Sequence, residues 1–420
     1  MTPHDALYAA ICAQPDEDTP RLAFADLLEE EGDSARAAFI RTQVALARVP
    51  DYDPLWVKCR QFDFNAISAW GMAHTLPKVR GGCGWFDFEF RRGFPWKVGV
   101  QSLAALIDHG EELFDTAPIQ ALELDERARL DLPLLADWPH LARLRRLDFS
   151  HVRFDPEDLA AFARSAPAGN LRELTFQSDA ITADGLEVLA GSKLFKKLES
   201  FELRLNAISP LLLVDALGAA RGPGNLRRLS LARNRIPHPD AQNLFGLPVM
   251  RDLEHLDLED NPLGADGVTA LAESGILHGL RSLNLASTNP GVPGLRALTG
   301  TGGMAGLRSL NLSGNRLGPV AAKELAASGA VKGLRVLNLS NNSIQNTGVA
   351  ALAQSKSLAG LLELDVSDTG VSDAGALALA ESPHLDGLIR LNLRGHSAYR
   401  PLGRAARAAL EARFGGRVAI

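Results

Sequence analysis

An apolar pattern, LxxLxL, recurs along most of this chain at an almost fixed interval, and that regularity constrains the fold more than any other feature. Its first apolar residue falls at Ile119, Leu144, Leu171, Leu198, Leu226, Leu253, Leu280, Leu307, Leu334, Leu361 and Leu388. The intervals are 25, 27, 27, 28 and then 27 six times. Such a period means one small unit used again and again, each unable to bury its apolar edges until a neighbour stacks on it. In residues 253–261 (LEHLDLEDN) apolar and polar positions alternate, the signature of a short strand. The ninth position is Asn at Asn206, Asn234, Asn261, Asn315 and Asn342, where a side-chain amide can satisfy backbone groups that a bend strips from a strand ladder. Asp179, Thr288, Thr369 and His396 replace it in other copies. A helical pattern follows each strand, as in residues 267–280, with apolar positions three and four apart. The copy after Leu280 runs NPGVPGLRALTGTGG, and its Pro and Gly predict a broken or shortened helix.

The segments LRSLNLSGNRLG (307–318) and LRVLNLSNNSI (334–344) resemble leucine-rich repeats. A length of 27–28 residues with a true helix is similar to the ribonuclease-inhibitor subtype. The resemblance covers residues 119–396 and implies an α/β solenoid, with a curved parallel sheet on the concave face and helices on the convex face. It implies a binding surface and no particular chemistry.

A solenoid needs its ends covered. Residues 397–420 read as a C-terminal cap: Leu402, Ala406, Ala409, Leu410 and Phe414 form an apolar helical stripe, Gly415 and Gly416 stop it, and an extended tail is expected to add a truncated twelfth rung. Residues 1–118 form a separate composition zone, holding 15 of the 25 aromatic residues and all three cysteines. They read as mostly helical, with Thr2-Pro3 and Thr19-Pro20 as helix starts, Gly32 as a stop, and helices from Ser34 to about Arg48 and from Asp53-Pro54. The alternation Phe86, Phe88, Phe90, the turn Arg91-Arg92-Gly93 and the run to Val100 predict a β-hairpin, and Ser102 caps the helix leading into the first repeat. Residues 8–46 resemble the repeat-companion domain of large planctomycete-type bacterial families. The matching features are Pro15-Asp16-x-Asp18-Thr19-Pro20-Arg21-Leu22, Ala25-Asp26-x-Leu28, Gly32-Asp33 and Phe39-Ile40-Arg41-x-Gln43. That resemblance implies architecture only.

The start of the chain lacks a basic stretch ahead of its apolar residues, so a signal peptide is not expected, nor is a membrane span. Cys12, Cys59 and Cys83 are odd in number and never spaced as CxxC, which points to a reducing cytoplasm. No phosphate-loop, zinc-protease or hydrolase motif occurs. The run Arg80 to Gly84 reads as a turn, and Cys83 as a structural thiol rather than a nucleophile. The ten histidines show no ligand spacing, and His255 and His151 read as solvated, so neither metal nor cofactor is expected. Arg21, Asp26 and Arg41 read as ion pairs between packed helices.

The remaining candidate is the concave face. Outward between the two inward leucines stand Glu123, Asp148, Thr175, Glu202, Ser230, Asp257, Asn284, Asn311, Asn338, Asp365 and Asn392, an acidic and amide spine without a base. Glu259, Arg204, Arg228 and Arg233 flank it, the last two as bidentate anchors. At about 4.8 Å per strand the spine is roughly 50 Å long, a size for a protein or peptide partner. The expectation is a non-enzymatic scaffold binding such a partner there. Alternatives are a regulator like Ran-type GTPase activators, from subtype resemblance alone, and an enzyme activity within residues 1–118. The net charge of −6 divides into −7 for residues 1–118, −5 for the repeats to residue 389 and +6 for residues 390–420. The acidic total makes nucleic acid a poor partner, and the gradient points to a partner with a charge gradient or to head-to-tail self-association.

Overall fold

The computed structural model describes residues 2–59, 85–125, 131–150, 152, 154–178, 180–206, 208–220, 224–395 and 402–419. Cys83, the Arg80–Gly84 run, His151 and the turn positions Asp179 and His396 lie outside the described residues. The chain divides into two compact units, residues 1–51 with 59–202, and residues 203–420 with 52–58.

In the first unit, helices Pro3–Ala13, Thr19–Glu30 and Ser34–Leu46 pack around Ile11, Phe24, Leu28, Ile40, Val44 and Phe94. Thr2 and Asp5 form a reciprocal capping box at the first helix, as Thr2-Pro3 predicts; the second is preceded by Asp18, whose side chain makes no cap. The residues that carry the resemblance over 8–46 resolve into packing. Arg41 pairs with Asp26 at 2.7 Å and with Glu29, tying the second helix to the third. Gln43 Oε1 accepts from Gly93 N at 2.9 Å, which docks the hairpin turn on the third helix. Arg21 is buried, donates to the Glu17 carbonyl and lies over the Phe94 ring; burial, with Arg92 nearby, pushes its guanidinium down to about 10.

The hairpin forms as its alternation predicts. Strand β1 (Trp85–Arg91) runs antiparallel to β2 (Phe94–Val100). β2 then pairs parallel with β3 (Ala121–Leu124), the first repeat strand, and β4 (Arg146–Ser150) and β5 (Glu173–Gln177) continue the ladder. The repeat sheet of this unit therefore begins inside the N-terminal segment. Phe149 stacks on Phe176 with ring centroids 5.2 Å apart, and Phe154, Phe162 and Phe201 pack edge-on around them, so these rungs are filled by aromatics.

β6 (Ser200–Arg204) contains the division between the units. In the second unit β7 (Arg228–Ser230), β8 (His255–Asp257), β9 (Ser282–Asn284), β10 (Ser309–Asn311), β11 (Val336–Asn338), β12 (Glu363–Asp365), β13 (Arg390–Asn392) and β14 (Val418–Ala419) pair parallel in sequence order. β14 is the predicted twelfth rung, following the cap helix Arg404–Phe414. Both units thus show the α/β solenoid logic, with parallel strands on one side and helices on the other. One expectation fails: residues Gly291–Gly300 form a full ten-residue helix. Pro290 is its N-cap and Pro293 sits in its first turn, where no backbone donor is needed. A Cβ on Gly294 would come within 3.2 Å of Val268 on the neighbouring helix, so this glycine permits close helix packing.

The ninth-position asparagines link one repeat to the next. Asn315 Nδ2 donates to Leu285 O in the preceding repeat at 2.7 Å and to Leu312 O in its own at 2.9 Å, while Oδ1 accepts from Thr288 N and Asn289 N, both at 2.8 Å. Asn342 and Asn261 do the same one repeat on and two repeats back. Thr288, fully buried, donates its hydroxyl only to Leu285 O, three residues earlier. Asn315→Ala strands three buried backbone groups and one part-buried group and is expected to lower stability by about 3 kcal/mol or more, whereas Asn315→Thr keeps one of the four partners and should lose roughly three-quarters as much. Urea unfolding measures both, and amide exchange at Thr288 and Asn289 should accelerate in the Ala variant.

Candidate functional site

The strand face carries the side chains that point away from the helices, and the parallel register sets them in columns. In the second unit Ser230, Asp257, Asn284, Asn311, Asn338, Asp365 and Asn392 align strand to strand. In the first unit Glu123, Asp148 and Thr175 align in the same way.

The Asp and Asn members of the second-unit column share a local bond. Each Oδ1 accepts from the backbone N–H two residues on: Asp257 from Glu259 (3.0 Å), Asn284 from Ala286 (3.0 Å), Asn311 from Ser313 (3.0 Å), Asn338 from Ser340 (2.9 Å), Asp365 from Ser367 (2.9 Å) and Asn392 from Arg394 (3.2 Å). These bonds end each strand and explain why short acids and amides occupy the column. Asp257 Oδ2 also accepts from Ser230 Oγ at 2.9 Å, and Asp365 Oδ2 from Asn392 Nδ2 at 2.8 Å. Much of the spine's acceptor capacity is therefore consumed within the face.

In the first unit the acids are paired. Lys97 on β2, only 9% exposed, places Nζ 2.9 Å from Glu123 and 3.8 Å from Asp148. Arg146 Nε lies 2.7 Å from Asp148, and the same guanidinium reaches Glu173 at 3.6 Å and Glu202 at 4.0 Å. Burial opposes the Arg146 charge, but Asp148, with Glu202 and Glu173, outweighs it and holds the group charged well above its usual range. Sequence reasoning missed Lys97 because it lies in the hairpin, which takes its place beside the first repeat strand only in the folded unit. The alternation in FPWKVGV (94–100) puts Lys97 on a strand and is the one sequence signal for it.

Larger side chains of the second unit gather at two places, on β12 and β13, where Arg390 donates to Glu363 at 2.9 Å, and at β6, β7 and β8. Glu259 lies between Arg204 (3.7 Å) and Arg233 (3.5 Å), and accepts from Asn284 Nδ2 at 3.3 Å. Arg233 belongs to the turn rather than the strand, with φ 61°, and reaches back to this cluster and to Asp260. Arg228 is exposed, and its guanidinium has no partner among the described residues. Beyond β8 the face turns small and polar: Ser282, Asn284 and Ala286, then Ser309, Asn311 and Ser313.

The residue before each ninth position has a left-handed backbone from the repeat at Leu171 onward: Ser178, Leu205, Arg233, Asp260, Ser287, Gly314, Asn341, Asp368 and Gly395. Leu205 is the costly member, a branched side chain at φ 54° and 47% exposed. Among the described residues no group of three or more metal-ligating side chains occurs, and no helix is long and apolar enough to cross a membrane.

A family model described as Leucine Rich repeat matches residues 249–272, 307–326, 334–353 and 361–380. A chain of the yeast Rad7 and Elc1 complex is 17% identical with a TM-score of 0.52, the match covering 92% of this chain and 96% of that one. An internalin (inlF) from Listeria monocytogenes is also 17% identical, over 75% of this chain and 84% of its own, with a TM-score of 0.42. No curated protein sequence matches. The four matched segments are leucine-rich repeats, and the match to the yeast chain shows a shared fold. Leu205→Gly should raise stability by about 0.5–1 kcal/mol, because glycine accepts the left-handed backbone that leucine resists. Thermal or urea unfolding of the variant checks the sign, and a loss of stability would show that the exposed side chain packs usefully.

Proposed function

We propose that these leucine-rich repeats form a non-enzymatic scaffold that holds a protein or peptide partner on the strand face. The carrying observation is Arg228, an exposed arginine with no partner among the described residues, on the same strand face as the Arg204, Arg233 and Glu259 cluster. An arginine with a free planar fork is a strong anchor for a partner carboxylate. The small Ser and Asn side chains beyond it offer donors and little obstruction, which suits an extended polar segment. The yeast structural relative was solved as a complex of Rad7 and Elc1, which accords with a repeat chain of this fold assembling with another protein. A ribonuclease-inhibitor-like subtype, a bacterial companion domain over residues 1–118 and a cytoplasmic setting belong to the same proposal. The 27-residue rungs with full helices support the first, and the packing roles of Asp26, Arg41 and Gln43 support the second.

The face is tested by position rather than by charge reversal, since reversing Asp257 or Asp365 would also break the bonds that end their strands. A photoreactive residue at position 282 or 309 samples the strand face, and one at exposed Val320 samples the helix face. Adducts with the same native protein from 282 and 309, and none from 320, are expected. Adducts from 320 alone would overturn the assignment. Arg228→Glu, which severs no hydrogen bond or ion pair among the described residues, should cut recovery of that protein at least about tenfold at an unchanged melting temperature.

A further inference from the structure

Within the first unit, an open cleft of about 690 Å³ is lined by Ala13, Pro15, Asp16, Gln120, Ala142, Arg143, Arg145, Asn170 and Arg172. Its floor comes from the residues that enter successive strands. Arg145 N donates to Gln120 O at 2.8 Å and Arg172 N to Arg145 O at 2.8 Å, so these three side chains stand on adjacent rungs, about 4.8 Å apart. Among the described residues three guanidinium groups therefore meet one cleft lined by a single carboxylate.

Each guanidinium is anchored by one arm. Arg143 Nη2 donates to Cys12 O at 3.1 Å, and its plane lies over the Phe114 ring. Arg172 Nη1 donates to Leu171 O at 2.8 Å and Gly169 O at 3.3 Å. Arg145 Nη2 meets Asp16 Oδ2 at 2.9 Å. Anchoring one arm fixes the fork and leaves the remaining N–H groups for a ligand. Gln120, 6% exposed, accepts from Trp96 Nε1 at 3.1 Å and directs Nε2 toward Asp16 at 3.4 Å. The other charges at hand are Glu199, 3.9 Å from Arg172 Nε, and Lys197, whose Nζ donates to Gly169 O. The balance stays positive.

We infer that this cleft binds a phosphate monoester, with Arg145 and Arg172 as the fork that grips its oxygens and Asp16 as an internal competitor that the ligand displaces. Three converging guanidinium groups exceed what one carboxylate ligand needs, and the volume has room for the group that bears the phosphate. The site is separate from the strand-face reading and does not rest on it. The phosphate can belong to a free metabolite or to a phosphorylated side chain of a partner, and the two are distinguishable.

Titration calorimetry of the full chain with a sugar phosphate, a phosphoserine peptide and the matching glutamate peptide tests the assignment. Saturable binding of a phosphorylated probe that weakens with added salt is expected; Arg145→Ala and Arg172→Ala should each weaken it about tenfold. Asp16→Asn should tighten it several-fold, a gain that misfolding cannot imitate. Binding of the sugar phosphate indicates a metabolite, and binding of the peptide alone a phosphorylated partner. No binding by any phosphorylated probe at millimolar concentration, equal binding of the glutamate peptide, or weaker binding by Asp16→Asn would each overturn it.

Discussion

Everything in the repeat array depends on one requirement: backbone groups left unpaired where each strand bends must find partners inside a dry core. The ninth-position asparagine meets it by reaching two ways at once, donating to its own turn and to the carbonyl of the repeat before, and accepting from that repeat's amides. A buried, unpaired peptide group costs about 1–3 kcal/mol. No repeat can therefore be finished without its neighbour, and stacking follows from hydrogen-bond accounting as much as from leucine burial. Thr288 and Thr369 show the minimum version, capping only the carbonyl three residues earlier.

A second, quieter link joins repeats on the side where the strands begin. Arg281, Arg308 and Arg335 each send Nη1 to the carbonyl of the glycine just before the next repeat begins, Gly306, Gly333 and Gly360. A Cβ at Gly333 would collide with Arg308 Nη1, so the recurrent Gly-Leu-Arg of the sequence is one interaction written across two repeats. The same position in the first unit holds Arg145, which turns to Asp16 instead of to the next repeat. Structural clasp and candidate anion site are thus one residue column put to different uses.

The period, the strands, the hairpin and the final rung were legible because each rests on a local pattern that must also hold globally. What escaped reading depended on contacts between residues far apart in sequence. Lys97 and Asp148 lie fifty-one residues apart, and nothing local announces their approach. The helix at Gly291–Gly300 was misread because proline and glycine were weighed as breakers without their positions, which are an N-cap, a first turn and a close crossing. The left-handed position before each asparagine was hidden by its variety, since Leu205 and Arg233 give no hint of the conformation that Gly314 and Asn341 accept easily. Along the candidate face, sequence placed the column correctly but could not show that its oxygens are spent on the strands' own ends.

That last point changes how charge should be read on a repeat protein. The basic C-terminal segment suggests an attractive tail, yet Arg413 donates to the Ala380 and Ser382 carbonyls and pairs with Asp386, and Arg417 donates to Leu388 O and Phe414 O. These arginines close the last repeat, doing with guanidinium groups what a following repeat would have done with backbone. Glu123, Asp148 and Glu202 are likewise held by Lys97 and Arg146. Formal charge counts therefore overstate the donor groups that a partner can reach, because the long cationic side chains serve as hydrogen-bond donors to carbonyls that no other group reaches. The donors available for recognition are those left over after this internal use, among them Arg228 on the strand face and the unspent arms of Arg143, Arg145 and Arg172 in the first unit.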